Sequence, residues 1–177
     1  IANPLAQLEL KSDASVSSDG SRIYNLEVDT TVIALSQVDV FVGYGIPDFD
    51  VPFEQQDDVY GFAIKDVDLA LALMKITADV KDFPSFTALT AESGEFALLT
   101  GTDFFTFSGQ KLALEVNTGT KWKGTQAAPT VNFRLSFPQE EGLALEINGR
   151  TLMLNLEGPI IGVAVSDALL RVDSFIY

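Results

Sequence analysis

Five acidic side chains crowd one short stretch, Asp48, Asp50, Glu54, Asp57 and Asp58. Hard cations take carboxylate and carbonyl oxygens from flexible loops. Asp48, Asp50, Asp57 and Asp58 are therefore the candidate metal ligands, and calcium is the one cofactor the chain suggests. The spacing is not that of an EF-hand, because no correctly placed Gly or Glu follows Asp48-Phe49-Asp50. The competing reading is a solvated acidic loop. Asp13 and Asp19 form a second, sparser candidate pair.

Other chemistry is narrower still. The chain contains no His and no Cys. That removes the usual base for an activated serine, thiol catalysis, disulfides and the nitrogen and sulfur ligands of zinc. A Ser-Lys dyad near Ser108 and Lys111 is the remaining nucleophilic arrangement, and nothing in the sequence marks it. Paired carboxylates could serve a glycosidase, but the single Trp122 offers no sugar-stacking platform. Gly43-Tyr44-Gly45 lacks the rest of either glycine-rich phosphate fingerprint. One compact basic-aromatic spot stands out, Lys121-Trp122-Lys123, which suits docking onto an acidic neighbour. Its alternative is an ordinary exposed turn.

The bulk properties narrow the partners. A formal net charge of −14 repels nucleic acid and anionic membrane, so neither is expected as a main partner. No apolar run is long enough to span a bilayer as a helix. Hydrophobic residues make up 47% of the chain, which favours a folded core over disorder. The first residues, Ile1-Ala2-Asn3-Pro4, lack a signal-peptide pattern and an initiator Met, so a processed or excised product is expected.

Period two dominates the elements that must position these residues. Ala6, Leu8 and Leu10 alternate with polar residues. So do Leu112, Leu114 and Val116, and Leu152, Leu154 and Leu156, with Ala113 and Met153 interspersed. Val67, Leu69, Leu71 and Leu73 alternate with Asp68, Ala70, Ala72 and Met74. Each run predicts a strand with one buried face. Leu69 to Ile76 could form a short helix, but its β-branched and aromatic flanks favour a strand. Ser17-Ser18-Asp19-Gly20 and Asn148-Gly149 predict tight turns, the second a two-residue hairpin. Asn117-Thr118-Gly119, Ser93-Gly94, Ser108-Gly109 and Gly158-Pro159 predict further corners. Gly45 to Asp58 and Thr118 to Pro129 read as long loops. Phe105 and Phe107 fall on one face of a strand and Phe104 on the other.

A weak internal repeat runs through three segments. Ala34-Leu35-Ser36-Gln37-Val38-Asp39-Val40 matches Ala63-Ile64-Lys65-Asp66-Val67-Asp68-Leu69, with a looser echo in Ala164-Val165-Ser166-Asp167-Ala168-Leu169. Such recurrence suggests strands stacked along an axis, although strands also resemble one another by chance. Val59 to Gly119 resembles a repeat of giant, multi-repeat, adhesin-like bacterial surface proteins. The matching residues are Gly61-Phe62-Ala63-Ile64, Val67 to Leu73, Phe86 to Ala91, Ala97 to Asp103 and Leu112 to Asn117. Gly158-Pro159-Ile160-Ile161-Gly162-Val163 is similar to a recurring element of that family, departing from it at Ile160, where an aromatic is usual. Ile23 to Gly43 is similar to the preceding rung. The resemblance implies an elongated β architecture at a bacterial cell surface or outside the cell, without an active site.

The expectation is one all-β module over residues 1–177, itself one repeat unit of a longer chain or assembly. Its architecture is an elongated β-solenoid-like or stacked antiparallel sheet, with a β-sandwich as the alternative. Its expected role is non-catalytic: an extracellular structural module that assembles with copies of itself into a filament, sheath or adhesin stalk. The alternative is a calcium-dependent adhesin module for glycans or surfaces. The expected interface residues are Lys121, Trp122, Lys123 and the strand-like end Phe175, Ile176 and Tyr177.

Overall fold

Alternating apolar residues and turn-forming pairs produce strands along most of the chain. A computed structural model describes residues 14–18, 21–77, 84–101, 105–120, 128–137 and 141–172. The strands are β1 (Ala14–Ser18), β2 (Ser21–Leu26), β3 (Val28–Tyr44), β4 (Tyr60–Ile76), β5 (Ser85–Glu92), β6 (Glu95–Thr100), β7 (Phe105–Gly119), β8 (Thr130–Asn132), β9 (Leu143–Ile147), β10 (Arg150–Leu154) and β11 (Ile160–Val172). Helix is confined, among the described residues, to a 3-10 turn at Phe53–Gln55 and the single turn α1 at Phe133–Ser136. The protein is all-β, built from antiparallel sheets that do not close into a barrel. The large sheet has the order β11-β7-β5-β4-β3, and β6 also pairs with β4 and β7. Separate ladders are β2-β1-β8 and β10-β9.

The contacts divide the chain into two compact units. The first comprises the chain up to Leu35, Leu69–Ala91 and Leu114–Gly162; the second comprises Ser36–Asp68, Glu92–Ala113 and the chain from Val163.

The first unit buries Val28 and Val32 of β3, Ala70, Ala72 and Met74 of β4, and Phe86 and Ala88 of β5 in one cluster. Val131, Phe133, Leu143, Leu145, Leu154 and Leu156 complete that cluster. On β4 the buried set is not the larger one that the alternation suggested. Leu73 is exposed, whereas Ala70 and Ala72 are buried. Close packing explains the choice, because small side chains leave room for the fully buried rings of Phe86 and Phe133. The β9–β10 hairpin turns at Asn148 and Gly149, whose φ of +50° and +75° suit a type I′ turn. It sets Leu143 opposite Leu154 and Leu145 opposite Leu152. Asn117, expected at a corner, lies within the end of β7 and is fully buried. Its Nδ2 donates to the carbonyls of Val131 at 2.8 Å and Gly158 at 3.0 Å.

The second unit places β6 between β4 and β7. Ala63 pairs with Ala97, and Ala97 with Ser108, in a row of small residues. Over this face lies the 45–59 loop, which contributes Phe49, Phe53 and Val59 to a second cluster with Ala63, Ala97 and Leu99. On the opposite face Phe96 is in ring contact with Phe62 at 6.1 Å and Phe107 at 5.8 Å between centroids. Two expected corners sit in this sheet instead. Ser108-Gly109 lies inside β7, because Gly109 faces Phe96 and a Cβ there would stand 2.5 Å from the ring. Ser93-Gly94 separates β5 from β6 without reversing the chain, and both segments pair with β4 and β7.

Four of the long strands share an unusual residue. Gln37 of β3, Asp66 of β4, Lys111 of β7 and Asp167 of β11 have φ between +52° and +56°. A left-handed residue inside a strand marks a β-bulge. The three segments that echo one another in sequence align these residues at their fourth position, Gln37, Asp66 and Asp167. On β3 and β4 the bulges are satisfied reciprocally. Asp68 Oδ1 accepts the backbone N–H of Gln37 at 3.0 Å and the Ser36 hydroxyl at 2.8 Å. Asp39 Oδ1 accepts the N–H of Asp66 at 3.0 Å. At Lys111 the corresponding N–H donates to the Gly94 carbonyl at 2.6 Å.

Asp68→Ala removes the acceptor shared by Ser36 and Gln37. The expected loss is about 1–3 kcal/mol in urea unfolding. Asp68→Asn keeps an oxygen acceptor and should lose less than Asp68→Ala.

Candidate functional site

The acidic loop uses its polar groups to hold itself in place. Asp48 Oδ1 accepts the N–H of Asp50 at 3.0 Å, a local Asx turn. Gln56 clasps the same residue from the far end of the loop. Its Oε1 accepts the Asp48 N–H at 3.0 Å, and its Nε2 donates to the Asp48 carbonyl at 2.6 Å. A longer contact of 3.3 Å runs from Gln56 Nε2 to the Val51 carbonyl. Lys65 anchors the loop from beneath: it pairs with Glu95 at 3.5 Å, reaches the Val51 carbonyl at 3.4 Å and sits 4.5 Å from the Phe53 ring centroid. Asp50, Asp57 and Asp58 are exposed, as is Asp48. Among the described residues no three carboxylates gather as a metal-binding group. Asp48, Asp50, Asp57 and Asp58 thus share a loop without forming a group of three there.

The remaining sequence candidates divide in two. Lys121, Trp122, Lys123, Phe175, Ile176 and Tyr177 lie outside the described residues, as do Asp13 and Asp19. Ser108 is buried in β7, and Lys111 lies three residues along the same strand with its side chain exposed.

The feature that stands out is in the second unit, on β11. Among the described residues this strand ends the order of the large sheet and pairs there with β7. From Val163 to Val172 every residue is exposed, Val163 at 68% and Leu170 at 61%. Val165, Leu169 and Val172 are exposed as well. Aliphatic residues occupy neighbouring positions as well as alternate ones, so no face of the strand is polar. Strands of that pattern are normally covered on both faces. Of the usual safeguards of an edge, β11 has the bulge at Asp167 and two charged residues, but it is thirteen residues long and contains no Pro and no Lys. Asp167 and Arg171 are its only charged residues, which makes the segment neutral in a chain of net charge −14. The opposite end of the sheet order is β3, where Val40, Val42 and Tyr44 are exposed.

Sequence reasoning sought a pairing edge at Phe175, Ile176 and Tyr177 and passed over the strand just before them. The signal was present in the apolar residues at both odd and even positions, Val163-Ala164-Val165 and Ala168-Leu169-Leu170. What this surface offers chemically is backbone pairing plus aliphatic cover. No family model, no curated protein and no solved structure matches the chain.

Gln56→Ala frees both ends of the acidic loop. Cleavage at Glu54 by a Glu-specific protease should accelerate several-fold, while the urea midpoint moves by less than the equivalent of about 1.5 kcal/mol. An unchanged cleavage rate would show that Phe53 and Lys65 hold the loop without the Gln56 clasp.

Proposed function

We propose that this protein is a non-catalytic structural module that assembles with copies of itself at a bacterial surface or outside the cell. The observation that carries the reading is β11, a long apolar strand exposed along its length at the end of a sheet. A soluble chain leaves such an edge open at the risk of aggregation unless pairing there is its use. The absence of His and Cys from the sequence adds support, since both are common catalytic side chains. The resemblance of Val59 to Gly119 to adhesin-like surface repeats supports the cellular setting we propose.

For the architecture we favour a β-sandwich-like arrangement in the first unit over a solenoid. Antiparallel pairing of β1 with β2 and β8 and the tight β9–β10 hairpin support that choice. Stacked solenoid rungs would instead place successive coils side by side in a repeating register.

Sedimentation velocity over a concentration series tests the functional reading. The average mass should rise with concentration. It should also rise with added salt, because screening weakens repulsion between the acidic surfaces while the apolar contact persists. A strict monomer across all concentrations and salts would overturn self-assembly.

A further inference from the structure

We propose that β11 pairs with β11 of a second copy, antiparallel across a two-fold axis, so that the second unit's sheet continues from one molecule into the next. This rests on the self-assembly reading above and specifies the surface and its symmetry.

Three observations select a second copy as the occupant. First, the occupant must be a strand that brings apolar side chains to both faces, because β11 exposes aliphatic residues on both. Another β11 meets that requirement. Secondly, the occupant must accommodate a left-handed residue in mid-strand, since Asp167 has a φ of +52°. A regular strand would lose register there. Within this molecule β3 and β4 show how two such strands fit: the backbone N–H of the left-handed residue of each donates to the side chain two positions beyond the left-handed residue of the other. Applied to two β11 strands, that rule sets Asp167 of one copy opposite Leu169 of the other. The two-fold then passes through Ala168 and engages residues 164–172 of both chains. Antiparallel pairing is required by that symmetry and is the setting in which bulges are common. Thirdly, two chains of net charge −14 must meet where charge is low. β11 carries one acid and one base, Asp167 and Arg171, so the two-fold brings opposite signs onto the same strand pair.

Leu169 stands where β3 and β4 carry Asp39 and Asp68. The bulge therefore has no carboxylate acceptor in the two-fold pair. Lys111 shows the alternative in use, its N–H going to a backbone carbonyl.

The chain has no Cys, so a single introduced Cys can form a disulfide only between copies. Ala168→Cys should oxidise to a reducible covalent dimer. Val42→Cys on β3 should remain mostly monomeric under the same conditions. Leu169→Lys, at an exposed position, should weaken association at least tenfold in sedimentation velocity. If Leu169→Lys loses its native circular dichroism, the Cys comparison decides alone. Association of the unmodified chain with no Ala168→Cys dimer, or with Val42→Cys dimerising instead, would overturn the β11 pairing and leave self-assembly standing. Absence of association in the unmodified chain would overturn both.

Discussion

When one strand of a sheet carries an extra residue, its neighbours must adapt to it, and here that adaptation is organised by two carboxylates. Asp39 and Asp68 each accept the N–H of the left-handed residue on the other strand, Asp66 and Gln37 respectively. A left-handed, non-glycine backbone costs on the order of 1–2 kcal/mol at each position. Charge-assisted bonds to backbone N–H groups offset a cost of that size. The disturbance continues in the neighbouring strands: β5 and β6 are separated at Ser93-Gly94, and β7 has its own left-handed residue at Lys111. The Ser93 N–H donates to the Leu112 carbonyl and the Gly94 N–H to the Lys65 carbonyl, which keeps the interrupted line tied to both neighbours. On β11 the same conformation recurs at Asp167.

Around that constraint each unit builds its own core. In the first, small residues on β4 admit large rings. In the second, the row Ala63, Ala97 and Ser108 lies on one face of the sheet, where Phe53 and Val59 of the covering loop pack against Ala63 and Ala97. The clasp of Gln56 on Asp48 and the seat of Lys65 against Phe53 keep that cover closed. The acidic side chains of the loop remain in solvent. They add to the negative field of the chain, whereas β11 carries one acid and one base.

Much of this was legible in the residues. Asn148-Gly149 named its hairpin, and the β-branched and aromatic flanks of Leu69 to Ile76 favoured a strand over a helix, as β4 is. The 45–58 loop was recognised from its irregularity. Other features were hidden for physical reasons. Which face of β4 is buried depends on the volume of partners distant in sequence, so Leu69, Leu71 and Leu73 looked like the core set when Ala70, Ala72 and Met74 filled it. Ser108-Gly109 looked like a turn because a glycine that makes room for an aromatic ring has the same signature as one that reverses the chain. The echo between Ser36-Gln37-Val38-Asp39 and Lys65-Asp66-Val67-Asp68 was visible, but its physical content, a bulge and its acceptor, depends on which strands become neighbours. Four acids in a row of loop positions suggested a cation site; whether they converge is decided by the path of the backbone, and theirs is set by Gln56 and the Asx turn at Asp48.

The central claim is that β11 is the edge through which copies meet. Amide hydrogen exchange followed along the chain at low and high protein concentration tests it most directly. Protection of the amides within residues 164–172 should increase at high concentration, with the β9–β10 hairpin unchanged as an internal reference. Exchange in β11 that stays the same while the molecular mass rises would contradict the claim and place the contact elsewhere.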